Sequence, residues 1–292
     1  MNVGFIGIGN MGLAMAQRLL SLGWPVAVHD IDAKRVSQAQ ALGARTCAAP
    51  NALAAACDCI VVCVVDAPQT DSVLFGPNGA AAAMAPGHCV MLCPTIAPGD
   101  TERFAARLSE RGMACIDAPM SGGPARALDG SMSLMVACAA PVFERHRKLI
   151  DALSGKVFRI SAKVGDGART KLVNNLLAGI NLAGAAEVMA LAERIGLDLV
   201  GTLSVIEQSS GQSWIGSDRL RRAIAGDFAP RAHTSLLNKD THLALAMAKN
   251  CGFDAGLGAL AAERFAQACG AGLEALDDAS LFTLQRRLRD PS

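Results

Sequence analysis

The chain opens with the stretch VGFIGIGNMGLAMAQRLL at residues 3–20. The apolar run at 3–8 predicts a buried strand, and the apolar spacing over 11–22 predicts a helix. A Gly-x-Gly-x-x-Gly pattern between a strand and a helix is typical of a turn that places a dinucleotide pyrophosphate on the helix N-terminus. A glycine-rich turn without a ligand is the alternative. We expect these residues of the turn to bind the cofactor: Gly7, Gly9, Asn10, Met11 and Gly12.

Asp30 lies about twenty residues beyond this fingerprint, at the end of the second predicted strand. A carboxylate at this position binds the hydroxyls of the adenosine ribose and repels a 2′-phosphate, so the sequence favours NAD over NADP. NADP stays the less favoured alternative, because two basic residues lie nearby, Lys34 and Arg35. Asp30 could also be a turn or cap residue, although Asp32 is better placed to cap a helix at 33–41.

Short apolar runs and helical patterns alternate through the first part of the chain. Further strands are predicted at 26–29, 60–65, 90–92, 114–116 and 133–137. This alternation is typical of an α/β fold, a doubly wound, Rossmann-type parallel sheet with helices on both faces. From about residue 162 the pattern is helical and begins with a proline-free stretch at 163–195. We therefore predict a dinucleotide-binding domain at 1–161 and an all-helical domain at 162–292, joined by a long helix.

The composition excludes several classes of protein. The 292 residues are 51% hydrophobic with a formal net charge of +1, and no basic run suggests nucleic-acid binding. The ten cysteines include no C-x-x-C pair and no zinc-finger spacing, so we expect buried, reduced thiols and no metal site. The N-terminus lacks a cationic leader, and the longest apolar run, 59–65, has the length of a strand. The sequence predicts a cytoplasmic protein that binds no membrane.

Two later segments carry candidate chemistry. The sequence DAPMSGG at 117–123 can offer a hydroxyl and backbone N–H groups to an anion, although a plain glycine-rich turn is the alternative. Lys171 and Asn175 are four residues apart and therefore share a helix face in an apolar stretch. Desolvation lowers the pKa of a lysine toward neutrality, where it can exchange a proton. The alternative is an ordinary solvated lysine, and the neighbouring amides count against it because buried amides need partners.

Taken in order along the chain, these motifs resemble the 3-hydroxyacid dehydrogenase family, which includes 3-hydroxyisobutyrate dehydrogenase, tartronate semialdehyde reductase and L-threonate dehydrogenase. The resemblance implies that Lys171 is the catalytic acid/base and Asn175 a substrate ligand. It implies that the substrate carboxylate lies on Ser121, Gly122 and Gly123. It also implies a homodimer or homotetramer.

Other expected contacts follow from the same resemblance. Lys239, in a Lys-Asp pair, is expected near the nicotinamide. Thr95 matches a cofactor segment in which Pro94 replaces the usual serine, so the hydroxyl group of that serine is absent here. The remaining expected contacts are Val64 and Val65 for the cofactor, and Asn174 and Ser213 for the substrate.

The substrate is indicated by the polar stretch SSGQSW at 209–214. Hydroxyl and amide groups suit a polyhydroxylated chain better than a methyl group, so we favour a four-carbon sugar acid such as L-threonate. The segment also resembles the branch of the family that acts on L-threonate. Alternatively, Trp214 is a core residue and the serines cap a helix. The alternative functions are 3-hydroxyisobutyrate dehydrogenase, tartronate semialdehyde reductase, imine reductase and a non-catalytic NAD-binding module.

Overall fold

The computed structural model describes residues 1–287. The strands are β1 (Val3–Ile6), β2 (Val26–His29), β3 (Arg45–Thr46), β4 (Cys59–Val62), β5 (Cys89–Leu92), β6 (Ala114–Asp117), β7 (Met120–Ser121), β8 (Ser133–Ala137) and β9 (Lys156–Ser161). The helices between them are α1 (Asn10–Ser21), α2 (Ala33–Ala41), α3 (Pro50–Ala54), α4 (Ala67–Phe75), α5 (Pro98–Ser109), α6 (Gly123–Asp129) and α7 (Ala140–Leu153). The later helices are α8 (Asp166–Arg194), α9 (Leu199–Glu207), α10 (Trp214–Ile224), α11 (Thr234–Asn250), α12 (Gly256–Gly270) and α13 (Leu281–Arg287).

The nine strands found within residues 1–287 form one sheet in the order β3-β2-β1-β4-β5-β6-β8-β7, with β9 paired to β8. The strands from β3 to β6 are parallel, and the side chains alternate between two buried cores, one on each face. Phe5, Cys59 and Met91 lie in the core on the face that α1 and α7 cover, whereas Ile6, Ile60 and Val90 lie in the other core. Helices on both faces of a parallel sheet confirm the predicted doubly wound fold.

The structure corrects the strand pattern in two respects. The strand β8 runs antiparallel to β6 and β7, so the sheet is not wholly parallel. Three strands were not predicted, namely β3, β7 and β9. Two of them contain only two residues, which is too short for a period-2 pattern. The first strand ends at Ile6 rather than at residue 8, because Gly7 has a φ of +85° and turns the chain.

The chain divides into two compact units, Met1–Lys171 and the part from Leu172 onward. The predicted division after residue 161 stays a prediction. The second unit is helical, and its core contains Leu182, Met189 and Phe265, all with no exposed surface. The predicted long helix is α8, with 29 residues.

Within residues 1–287, one helix, α8, is long and apolar enough by length and composition to cross a membrane. The prediction counted only uninterrupted apolar runs and therefore did not identify it. A core helix passes the same test, and Leu172, Leu182 and Ala186 of α8 are fully buried within the protein. We therefore interpret α8 as a core helix.

Candidate active site

The expected cofactor residues lie at one edge of the sheet. The parallel register aligns Ile6 with Val62, Val62 with Leu92, and Leu92 with Asp117, so four neighbouring strands end together. Ligands of doubly wound sheets bind outside the carboxyl ends of the strands. The loops that leave this edge carry the residues predicted from the sequence: Gly7, Val64, Val65 and Thr95.

Two glycines of the fingerprint are required by the protein's own packing. A Cβ atom on Gly7 would lie 2.9 Å from the Cys63 carbonyl carbon and oxygen, and a Cβ on Gly12 would lie 2.1 Å from the Gly7 carbonyl oxygen. Both distances are far below a normal contact with backbone atoms that cannot move aside. Gly7 and Gly12 therefore hold β1, α1 and the loop after β4 close together, as the fingerprint predicts.

Gly9 differs from the other two glycines. Its φ is −61°, which any residue adopts, and an added Cβ would meet only the Arg35 guanidinium, the mobile end of a long side chain, at 2.9 Å. Packing within the protein therefore does not require a glycine here, whereas close approach of a pyrophosphate to this backbone would require one. Gly9 precedes α1, whose first residues Asn10 and Met11 receive no side-chain cap. The helix N-terminus is thus suited to a pyrophosphate, and these residues fit a dinucleotide.

Asp30 links the fingerprint to the end of β2. Its Oδ2 accepts a hydrogen bond from the Ile8 backbone N–H at 2.7 Å, and its Oδ1 accepts one from Asp32 N–H at 2.9 Å. Each carboxylate oxygen keeps a further lone pair for a ribose hydroxyl. Asp32 caps α2 through its contact with Lys34 N–H, as predicted. Arg35 is held near Gly9 by an ion pair with Asp32 at 3.5 Å, so a cation also faces this edge.

The neighbouring loops complete the edge. The Val64 backbone nitrogen lies against Gly7, since a Cβ on that glycine would be 3.0 Å away. The Val65 backbone N–H donates to Gln69 Oε1 at 3.1 Å, and the Val65 side chain is about half exposed. Thr95 follows β5 and is partly buried. The contacts of these residues with a cofactor stay predictions.

The segment Ser121–Gly123 forms a tight connection between β7 and α6. Gly122 and Gly123 have φ values of +133° and +76°, a backbone region that favours glycine. Nothing lies within 4 Å of a Cβ added to Gly123, so the space in front of this residue is open. Ser121 is partly buried and pairs with Ser133 of β8. The segment can present a hydroxyl and backbone N–H groups to an anion, and this role stays a prediction.

Asp117 holds the start of helix α8, a role that the sequence did not indicate. The side chain is 1% exposed, and its Oδ2 accepts hydrogen bonds from Gly165 N–H at 2.8 Å and Ala168 N–H at 3.1 Å. Burial raises the pKa of Asp117 from 3.8 to about 6, although these backbone donors, with that of Gly167, oppose the shift. A carboxylate on the first N–H groups of a helix fixes the helix terminus. Asp117 thereby positions the turn that leads to Lys171.

Lys171 and Asn175 lie one turn apart on α8 and are both buried, with 8% and 9% of their surface exposed. Polar side chains seldom occupy such positions unless they have partners or a function. The prediction that apolar residues enclose this pair is only partly correct. Leu172 is fully buried, whereas Val173 and Leu177 are more than half exposed.

Asn175 belongs to a chain of polar contacts in the second unit. Its Nδ2 donates to Asp240 Oδ2 at 2.6 Å, and its Oδ1 accepts from Asn174 Nδ2 at 3.0 Å. Asp240, 7% exposed, also accepts from Lys239 Nζ at 2.7 Å. Asp240 therefore fixes the orientation of the Asn175 amide, which keeps one N–H for a ligand. The sequence marked the Lys239-Asp240 pair but could not show that it reaches back 65 residues to Asn175.

Ser213 caps helix α10, since its Oγ accepts from Gly216 N–H at 3.1 Å. This is the role that the alternative interpretation gave to the serines, and a substrate contact through the second lone pair of Ser213 stays a prediction. Trp214 is 47% exposed and is therefore not a core residue, in contrast to that interpretation. Residues 209–212 are exposed.

Comparison with known proteins agrees with this arrangement along nearly the whole chain. Residues 2–161 match the family model of the NAD binding domain of 6-phosphogluconate dehydrogenase. Residues 165–284 match the model described as NAD-binding of NADP-dependent 3-hydroxyisobutyrate dehydrogenase.

Individual relatives match over a similar length. The chain is 38% identical to L-threonate dehydrogenase of Cupriavidus necator, over 97% of this chain and 95% of that one. A crystal structure of 3-hydroxyisobutyrate dehydrogenase from Salmonella typhimurium is 34% identical, with a TM-score of 0.91 over 97% of this chain and 99% of that chain. The structure of Psf3 in complex with NADP⁺ and 2-OPP is 29% identical, with a TM-score of 0.90 and the same two coverages.

Proposed function

Because the chain belongs to the 3-hydroxyacid dehydrogenase family, we propose that it oxidises a four-carbon sugar acid such as L-threonate with NAD, using Lys171 as the acid/base. That it is an enzyme that binds a nicotinamide cofactor and acts on a small hydroxy acid follows from the family. The acid, the preferred cofactor and the role of Lys171 are the proposal.

One observation carries the role of Lys171. Two polar side chains, Lys171 and Asn175, are buried one turn apart on α8, and each end of this segment is fixed by a buried carboxylate. Asp117 holds the first turn of the helix, and Asp240 holds the Asn175 amide. Such preorganised groups stabilise a transition state at little reorganisation cost.

The chemistry then divides among the residues of this chain. The bound nicotinamide supplies a hydride acceptor. Ser121 and the backbone N–H groups of Gly122 and Gly123 bind the substrate carboxylate. The free N–H of Asn175 orients the substrate hydroxyl. Lys171 Nζ takes the hydroxyl proton during oxidation and returns it in the reverse reaction, and its charged form stabilises negative charge on the oxygen.

The preference for NAD is supported by Asp30. Its carboxylate is fixed by two backbone N–H groups at the end of β2, where it would repel a 2′-phosphate. Arg35 opposes this preference, because its guanidinium lies near Gly9 and can attract a phosphate. We expect wild type to prefer NAD and Asp30→Ala to lose much of that preference. Equal kcat/KM for NAD and NADP in wild type would overturn the proposed preference.

The substrate is supported by the L-threonate dehydrogenase relative and by the exposed polar residues at 209–212. The decisive experiment measures NADH and NADPH formation with L-threonate, D-glycerate, 3-hydroxyisobutyrate, L-serine and 6-phosphogluconate. The proposal predicts the highest kcat/KM for L-threonate. A preference for 3-hydroxyisobutyrate would identify the branch that acts on methyl-bearing acids. In the reverse assay, fast NADH oxidation with tartronate semialdehyde would identify a reductase.

We further propose a cytoplasmic homodimer or homotetramer. All ten cysteines lie within the described residues and are free thiols, which suits a reducing compartment.

The second unit exposes large apolar side chains on several helices, a feature typical of subunit interfaces. They include Val173, Leu177, Val200, Val205, Leu257 and Leu260. Light scattering coupled to size-exclusion chromatography should give a multiple of 30.1 kDa, and a monomeric mass at micromolar concentration would contradict the assembly.

A further inference from the structure

Three potential metal ligands meet in the core of the first unit, at the sheet edge opposite to the cofactor residues. Cys59 begins β4, Cys89 begins β5, and the two are direct partners in the parallel register. His146 lies on α7, which covers the same face of the sheet. The ligand atoms of the three residues all lie within 4.8 Å of one another. No sequence motif indicates this group, because its members are 30 and 57 residues apart.

The three side chains are sealed from solvent. Cys59 and Cys89 have no exposed surface, and His146 is 2% exposed. They lie among apolar side chains of the core that contains Met91, Leu149 and Ile150. A polar imidazole in such surroundings needs partners for both of its ring nitrogens.

One nitrogen of His146 already has its partner. Nδ1 lies 2.9 Å from the Val142 carbonyl oxygen, so Nδ1 donates its hydrogen and Nε2 keeps its lone pair. A hydrogen bond from a ligating histidine to a backbone carbonyl is the usual support of a metal site.

The two sulfur atoms belong to paired residues of neighbouring strands and lie within 4.8 Å of each other. Two cysteine sulfurs and one imidazole nitrogen are the donors that thiophilic cations prefer, which excludes Mg²⁺ and Ca²⁺.

We propose that Cys59, Cys89 and His146 form a structural site for a thiophilic d¹⁰ cation, Zn²⁺ in the first instance. Binding breaks two S–H bonds and forms two metal–sulfur bonds and one metal–nitrogen bond, both protons pass to solvent, and a water molecule enclosed with the ion during folding takes its fourth position. Two thiolates cancel the charge of a divalent ion, so the complex is neutral and suits an apolar core. Monovalent copper would leave one negative charge with two thiolates, and the charge balance therefore favours zinc.

The site is separate from the proposed chemistry. Cys59 and Val62 are at opposite ends of the same strand, about 10 Å apart at the usual rise per residue. A metal at Cys59 would join β4, β5 and α7 and would stabilise the fold without touching the cofactor edge. Because the ligands are buried, the ion must enter while the protein folds.

The experiment uses protein produced with zinc in the medium, and protein unfolded and refolded with Zn²⁺ or Cu⁺, then dialysed. Metal per chain is measured by mass spectrometry, and the unfolding temperature is compared with and without metal. We expect about one zinc per wild-type chain, little or none in Cys89→Ala, and a higher unfolding temperature for the zinc-loaded wild type. The matched control is Cys138→Ala, which removes a buried cysteine from the same core but should retain zinc.

The variant His146→Gln provides a second test if Cys89→Ala does not fold. Refolding with Co²⁺ should give a thiolate-to-cobalt absorption band in wild type, and His146→Gln should weaken or shift that band. Zinc content equal in wild type, Cys89→Ala and Cys138→Ala would place the metal elsewhere and overturn the proposal. Wild type that retains neither zinc nor copper after refolding would overturn it as well. Turnover of the hydroxy acid should not change with zinc, so this test is independent of the proposed function.

Discussion

Asp117 offers a test of how a buried carboxylate supports the proposed catalytic helix. Replacing Asp117 with asparagine keeps an oxygen that can accept from Gly165 and Ala168 N–H but removes the buried charge. Replacing it with alanine leaves both donors without a partner. We expect Asp117→Asn to fold and retain activity, and Asp117→Ala to lose stability and activity together.

The magnitude follows from the pKa of this group. Burial raises the pKa of Asp117 from 3.8 to about 6, so the folded state binds the proton more tightly than the unfolded state does. The contribution of Asp117 to stability therefore falls as pH rises from about 4 to above 6, by roughly 3 kcal/mol for about two pKa units. Asparagine does not titrate and avoids this loss. Asp117→Ala should cost about 2–5 kcal/mol at about pH 4.5, because two buried N–H groups lose their acceptor, and the difference from wild type should shrink as the pH rises because alanine does not titrate.

The assay is urea unfolding of wild type and both variants at several pH values between about 4.5 and 7.5. The difference between wild type and Asp117→Asn isolates the titration of this one carboxyl from that of the others. As the pH rises, the free energy of unfolding of Asp117→Asn should increase relative to that of wild type. If Asp117→Asn is several kcal/mol less stable than wild type at about pH 7.5, the charged carboxylate is stabilising and the reasoning is wrong.

Two further predictions concern the cofactor loop and the amide network. Gly12→Ala should lower the free energy of unfolding by about 1–3 kcal/mol, because its Cβ meets the Gly7 carbonyl oxygen. Gly9→Ala should unfold like wild type but bind NAD more weakly. Urea unfolding measures the first effect, and fluorescence titration with NAD measures the second. Equal loss of NAD affinity and stability in both would refute this division. Asp240→Ala should lower kcat about 10- to 100-fold with a smaller change in KM for the acid, because Asn175 loses its orienting partner, and Asp240→Asn should restore part of kcat. A change in KM alone, or no recovery in Asp240→Asn, would show that Asp240 does not act through Asn175.

The fold was predictable because its strongest signals are local. The strands at 26–29 and 133–137 and the long helix were identified from short-range periodicity, and the fingerprint glycines occupy the geometry that the motif predicts. Periodicity failed for β9, an edge strand whose Phe158 is 55% exposed and which therefore shows no clear burial pattern.

The supporting contacts of the site could not be predicted in this way. The sequence identified Lys171 and Asn175 as candidates, but Asp117 contacts residues 48 and 51 positions away, and Asp240 contacts Asn175 across 65 positions. Such contacts depend on how the chain folds back, and single-sequence patterns do not report that. Ser213 was predicted to contact the substrate because it carries a hydroxyl group. In the structure that hydroxyl oxygen accepts a hydrogen bond and caps α10.

The central claim is that Lys171 exchanges the proton of the substrate hydroxyl. The most direct measurement compares NADH formation by wild type and Lys171→Ala at saturating NAD and the preferred hydroxy acid, with and without added ethylamine. The account predicts that kcat falls about 10²- to 10⁴-fold in Lys171→Ala, that NAD still binds, and that ethylamine restores part of the rate. A Lys171→Ala enzyme within about tenfold of wild type, or a loss of rate explained by lost NAD binding, would contradict it.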